Sequence, residues 1–315
     1  MLSRVADSLY WMSRYLERAE HTARLTSVYF DLILDQSSQM QEERYHLLLE
    51  NLQMEPETDD LFDPNKTLSL IVSDGNNHNS ILSCITQARE NARQVRENLS
   101  SESWMQINQL YLTMKRPSSH WRGQPQLFMQ QIIQQLYLIG GIFDATMNHD
   151  EGWQFVQLGN YMERSMSILR LMATQFVAIA TRPPHREDYL DWIALLKGCT
   201  AFEAYCNVYT ADLVSNNIAE FLLLNPEFPH SLHFSINMMR DALINIGNVT
   251  QSRRNQQLNR KAGRLQSLLQ FSQIDEITAN GIPEFLQEIK KQCLDIHDAI
   301  YRVYISFPVV EELPA

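Results

Sequence analysis

Two Glu-Arg pairs carry the most legible chemistry in this sequence. Tyr15-Leu16-Glu17-Arg18 recurs as Tyr161-Met162-Glu163-Arg164. At helical spacing Arg14, Glu17, Arg18 and His21 share one stripe, and Asn160, Glu163, Arg164 and Ser167 take the matching positions of the second copy. A planar guanidinium suits a carboxylate or a phosphate, with a neighbouring glutamate to orient it. Three arrangements fit: inter-helix salt bridges that set bundle register, a shared pocket that grips an anionic group, or a solvated face. Tyr10, Trp11, Leu25 and Val28 flank the first stripe. A helix with large apolar groups on both sides of its charges is expected to be central, with those charges partly buried and in need of partners.

A second basic group is Arg89, Arg93 and Arg96, spaced four and three so that all share one helix face. It reads as an anion site or as salt bridges to carboxylates of a neighbouring helix, with the salt bridges favoured. Ser100-Ser101-Glu102 just beyond it looks like a new N-cap.

Other chemistry is scarce. No G-x-G-x-x-G, Walker, H-E-x-x-H or G-x-S-x-G motif occurs, so no cofactor is expected. Glu43-Arg44-Tyr45-His46 is an E-x-x-H, but its only companion, Glu227-Phe228-Pro229-His230, contains a proline. A di-iron bundle needs two such motifs and two more glutamates, so no metal is expected. His120, His149, His185 and His230 fall in expected loops. Cys84, Cys199, Cys206 and Cys293 form no C-x-x-C pair and read as reduced core cysteines, the middle two on one helix face. The net charge of −11 disfavours nucleic acid. Leu171 to Ala180 is too short to span a membrane, and Met1 to Arg18 is too charged for a secretory signal. A cytoplasmic protein is expected.

The elements that must position these residues are helices. Ten glycines and eleven prolines in 315 residues with 44% hydrophobic content disfavour a turn-rich β fold. Leu2, Val5, Leu9, Met12, Leu16, Ala19, Ala23, Thr26 and Phe30 alternate threes and fours along one long helix. Phe155, Leu158, Met162, Ser165, Leu169, Met172 and Phe176 do the same along another. The in-phase stripes, 146 positions apart, suggest a duplicated pair of central helices near 2–36 and 150–180 that contact each other or a shared neighbour. Other helices are expected near 40–53, 79–98, 101–115, 124–147, 189–196, 199–224, 230–250, 254–272 and 282–306. Ser80 is a candidate N-cap, and Arg182-Pro183-Pro184 a stop. The breaks hold no long linker, so residues 1–315 read as one all-α domain, a multi-helix bundle.

The segment Leu2-Ser3-Arg4-Val5-Ala6-Asp7-Ser8-Leu9-Tyr10-Trp11-Met12, running into Tyr15-Leu16-Glu17-Arg18-Ala19-Glu20, closely resembles the alpha-E family of bacterial helical proteins. The likeness continues through Glu90-Asn91-Ala92-Arg93 to Trp104, Asp150-Glu151-Gly152-Trp153 to Arg164, and Cys199 to Phe228. It implies an all-α protein, usually encoded beside or fused to a circularly permuted ATP-grasp protein and a transglutaminase-like protein, in clusters that make or modify peptides by ATP-dependent carboxylate–amine ligation. The polar positions that match are Glu17, Arg18, Arg93, Glu163, Arg164 and Glu203. The chain departs from the family pattern at Ser165-Met166, where the second copy lacks an acidic residue matching Glu20. The expected role is an accessory or recognition subunit that binds a partner enzyme, or a peptide or amino-acid carboxylate, through the Glu-Arg helices. The alternatives are a catalytic helical domain in acyl or amide transfer, and a structural oligomeric scaffold. A cavity lined by Glu17, Arg18, Glu163 and Arg164 would favour binding or catalysis; closed bridges without one would favour the scaffold.

Overall fold

The computed structural model describes residues 1–33, 38–55, 63–116, 122–181, 188–210, 212–250 and 253–306. Every regular element among them is helical: α1 (Ser3–Ile33), α2 (Ser38–Leu52), α3 (Pro64–Val72), α4 (Ile81–Gln94), α5 (Ser101–Met114), α6 (Pro125–Thr146), α7 (Glu151–Thr181), α8 (Asp188–Gly198), α9 (Phe202–Tyr209), α10 (Ser215–Leu224), α11 (Leu232–Thr250), α12 (Arg253–Phe271), α13 (Ile274–Asn280) and α14 (Ile282–Ile300). None is long and apolar enough to cross a membrane.

α1 and α7, of 31 residues each, form the axis of the bundle. They run parallel: Tyr10 lies against Gly159, Arg14 against Glu163 and Tyr29 against Gln175, a pairing that advances in the same direction along both. α4 and α6 cover α1, while α11 and α14 cover α7. α1 is therefore buried almost all round. Leu9, Tyr10, Met12, Ala19, Ala23 and Leu25 are fully inside, and so, nearly, are Arg14, Glu17 and Glu20. Charges in such a helix must be paired within the protein.

The parallel axis is close-packed at Gly159. A Cβ built there would lie 2.2 Å from the Tyr10 carbonyl oxygen and 2.3 Å from Ser13 Oγ. Ser13 Oγ donates across the seam to the Val156 carbonyl at 2.6 Å.

Caps explain several boundaries. Ser80 Oγ accepts from the Ser83 N–H at the start of α4, and Ser100 Oγ from the Ser103 N–H at the start of α5. α3 lies between the helices expected near 40–53 and 79–98, where no helix was expected: Asp63 accepts from the Asn65 N–H, and Pro64 is set for a first helical turn. The helix expected over 199–224 is two, α9 and α10, separated after Thr210 at φ 54°. Cys199 precedes α9, so Cys199 and Cys206 do not share a helix face as expected. The helix expected over 282–306 gives way to a π turn at Tyr301–Ile305, and α13 precedes it, ended by Gly281 at φ 98°. His120, Pro183, Pro184 and His185 lie outside the described residues.

Candidate functional site

The two Glu-Arg pairs meet across the α1–α7 seam, each glutamate taking an arginine of the other helix. Arg164 grips Glu17 with two bonds, Nε to Oε1 at 2.6 Å and Nη2 to Oε2 at 3.0 Å. Arg18 Nε donates to Glu163 Oε1 at 2.7 Å, and Arg14 Nε to Glu163 Oε2 at 2.7 Å. The Glu163 carboxylate, 1% exposed, is thus held by two guanidiniums. Burial by itself would raise its carboxyl, but Arg14 and Arg18 outweigh burial and bring it down to about 2.

This second cluster holds more positive than negative charge. Burial and the nearby Arg18 and Arg14 lower the Arg170 guanidinium against the pull of Glu163, and its Nε has no hydrogen-bond partner among the described residues. The end of α2 supplies the missing negative potential. Arg170 Nη1 donates to the Asn51 carbonyl at 3.4 Å. Arg18 Nη1 donates to Asn79 Oδ1, whose Nδ2 in turn caps the Leu52 and Gln53 carbonyls. These are the unpaired carbonyls of a helix C-terminus, where cations are stabilised.

Aromatic groups close the cluster from the α14 side. Tyr10 Oη and Arg14 Nη1 both approach His297 Nδ1, at 2.9 and 3.4 Å. The Arg14 guanidinium stacks 4.5 Å from the Trp11 ring centre. Burial and Arg14 lower His297, so its neutral ring accepts from Tyr10. His21 sits one turn beyond Arg18, and burial together with Arg170 pushes it down to about 3.

The sign of that shift sets an acid sensitivity. A histidine lowered by folding binds protons more readily when unfolded, so it leaves stability intact above about pH 6.5 and removes it as pH falls toward the folded value. His21 faces Arg170, Glu163 and His230, and the lowered state of His230 adds no compensating charge. Urea unfolding at pH 7 and pH 4.5 should show a loss of stability of which His21→Gln removes about 2 kcal/mol. An equal pH response in wild type and His21→Gln would assign the loss to other groups.

A cavity of about 310 Å³ opens between α1, α6 and α7, bordered by Glu17, Glu20, Tyr137, Asp144, Asn160, Tyr161 and Arg164. Of the four Glu-Arg residues, Glu17 and Arg164 line it; Arg18 and Glu163 do not, being closed into the cluster beside it. The expected alternatives are therefore divided between the two pairs: one pair is a wall of a cavity, the other a buried bridge.

The remaining expected site residues lie elsewhere. Arg93 is exposed and pairs with Glu90 of its own helix, as does Arg89, so their carboxylate partner is not on a neighbouring helix. The neighbouring helix offers aromatic faces instead: Tyr111 lies 4.6 Å from Arg89, and Trp104 5.5 Å from Arg96. Glu203 is exposed in the first turn of α9. Glu43 and His46 are both exposed on α2. Among the described residues no three His, Cys, Asp or Glu side chains converge as a metal site would require. Cys84, Cys199 and Cys293 are buried, and burial pushes each thiol up to about 12. Arg14 joined the expected stripe without being singled out, although it provides half of the grip on Glu163. The buried Arg44–Asp191 pair, at 2.8 Å, carried no sequence signal beyond its residue types.

Comparison with known proteins agrees with this architecture. An uncharacterized protein of Mycobacterium bovis is 22% identical over 336 aligned positions, covering 97% of this chain and 37% of that protein. Two uncharacterized proteins of Mycobacterium tuberculosis match with the same identity and coverage. The chain spans little more than a third of the length of these curated relatives. No solved structure matches it. The model of the Alpha-E family, described as a predicted alpha-helical domain with a conserved ER motif, matches residues 1–305. With its Glu-Arg pairs joined across the central seam and nearly its whole length matched, the chain belongs to the Alpha-E family.

Proposed function

We propose that this chain is the recognition component of a peptide- or amide-ligation system, holding a peptide in the cavity beside Glu17 and Arg164 while a partner enzyme carries out the ATP-dependent step. The observation that carries the reading is the cavity itself. Its wall is an ion pair locked at both oxygens, and its volume falls at the low end of the range for ligand sites. A locked wall orients a guest with little loss of side-chain freedom on binding. The partners that fit are a circularly permuted ATP-grasp protein and a transglutaminase-like protein, by the family likeness. The relatives support a joint function: most of each lies outside the region matched by this chain.

The competing assignment makes the chain itself catalytic. A nucleotide needs backbone N–H nests, Mg²⁺ or clustered cations around its phosphates. Arg14, Arg18 and Arg164 of the seam are already held by carboxylates. Calorimetric titration with Mg-ATP, run beside an ATPase assay, should show neither tight binding nor turnover by the chain alone. Adding the ATP-grasp partner should bring both, in a complex that contains this chain. Micromolar ATP binding or turnover by the isolated chain would overturn the recognition role in favour of the catalytic one.

A further inference from the structure

The cavity beside Glu17 and Arg164 has the opposite charge character from the anion site that its arginine suggests. Its cations are committed. Arg164 donates to both oxygens of Glu17 and to the Pro229 carbonyl. Arg24, behind the lining, is bound to the Glu20 carboxylate and the Tyr137 hydroxyl. Those pairs neutralise Glu17 and Glu20, leaving Asp144 at the mouth as the net charge. His149 comes within 3.7 Å of its carboxylate, beyond hydrogen-bond length.

Two more lining side chains are without partners among the described residues. Gln157 and Asn160 stand one turn apart on α7, and their side chains make no hydrogen bond to any described residue. Tyr137 and Tyr161 also line the cavity, each with a guanidinium over its ring, Arg24 at 5.6 Å and Arg164 at 5.2 Å. Gly140 and Gly141 keep the α6 side open, since a Cβ at either would meet nothing within 4 Å.

A carboxylate or phosphate entering this space would meet three carboxylates and no uncommitted guanidinium. An ammonium would meet the Asp144 carboxylate, which no arginine holds among the described residues. A side-chain carboxamide both donates and accepts, which matches the N–H and C=O of a peptide unit. We propose that the cavity receives the amino end of a peptide, with the α-ammonium at Asp144 and the first peptide units on Gln157 and Asn160. This deepens the proposed function and rests on the cavity being the ligand seat.

The test is calorimetric titration of the full chain with tri-alanine, tri-alanine amide and N-acetyl-tri-alanine, repeated on Asp144→Asn. Asp144 is exposed, and a thermal melt verifies that the variant is folded. Tri-alanine and its amide should bind alike, and both acetylation and Asp144→Asn should weaken binding at least tenfold. Equal binding of the acetylated peptide, or unchanged affinity in Asp144→Asn, would overturn the amine assignment while leaving the cavity as a peptide seat. Loss on amidation with acetylation harmless would overturn it in favour of a carboxylate at Arg164. Binding by none of the three would overturn the cavity as a peptide seat and the amine assignment with it.

Discussion

Glu163→Gln should lose about 3–5 kcal/mol in equilibrium urea unfolding, the cost of breaking a buried ion pair from one side. The substitution keeps the shape of the side chain and removes only its charge. Arg14 and Arg18 would then both lie inside the bundle with no carboxylate, beside an Arg170 that is already short of one. The carbonyls ending α2 offset part of this charge, but a helix terminus contributes on the order of 1 kcal/mol. Against a total stability of about 5–15 kcal/mol, the loss should be visible as a large shift of the urea midpoint with an unchanged slope. A loss below about 1 kcal/mol would mean that solvent already screens this cluster.

Gly159→Ala is expected to be nearly as damaging, with the opposite sign from an ordinary helical glycine. In an open helix the change stabilises by about 1 kcal/mol. Here the new methyl would fall on the Tyr10 carbonyl, part of the α1 backbone, and on Ser13 Oγ, which is fixed by its bond to Val156. Neither can rotate away, so the axis helices must separate along the seam that aligns both Glu-Arg pairs. A net loss of about 3 kcal/mol or more follows from overpacking a rigid contact. Gly263→Ala in α12 is the control: a Cβ there meets nothing within 4 Å, and the change should stabilise by about 0.5–1 kcal/mol. Thermal melts of the two variants should move in opposite directions. Equal behaviour would show that the seam has slack.

How far the sequence was legible follows the range of the forces involved. The stripes in α1 and α7, the Ser80 and Ser100 caps and the central position of the Glu-Arg helices are local patterns, and each appears where it was expected. α3 was missed although Asp63-Pro64 is a legible start, because the acidic stretch before it hid the signal. The break within 199–224 depends on left-handed backbone at Thr200 and Thr210, which neither residue announces. Pairing across the seam is tertiary. Nothing local says that Glu17 takes Arg164 while Glu163 takes Arg14 and Arg18. The cavity is still less legible, since Tyr137, Gly140 and Asp144 reach it only once α6 packs on α1. Arg93 and Glu203 matched a family pattern and carried no such packing information; they stand on outer surfaces.

The proposed division of labour has Glu163 holding the bundle together and Glu17 walling a ligand cavity. Urea unfolding of Glu17→Gln beside Glu163→Gln tests it most directly. Arg164 keeps the Pro229 carbonyl and faces a cavity that admits water, so Glu17→Gln should cost about 1–2 kcal/mol, well under the loss expected for Glu163→Gln. A Glu17→Gln loss equal to or larger than that of Glu163→Gln would contradict the account, making both pairs parts of one structural bridge.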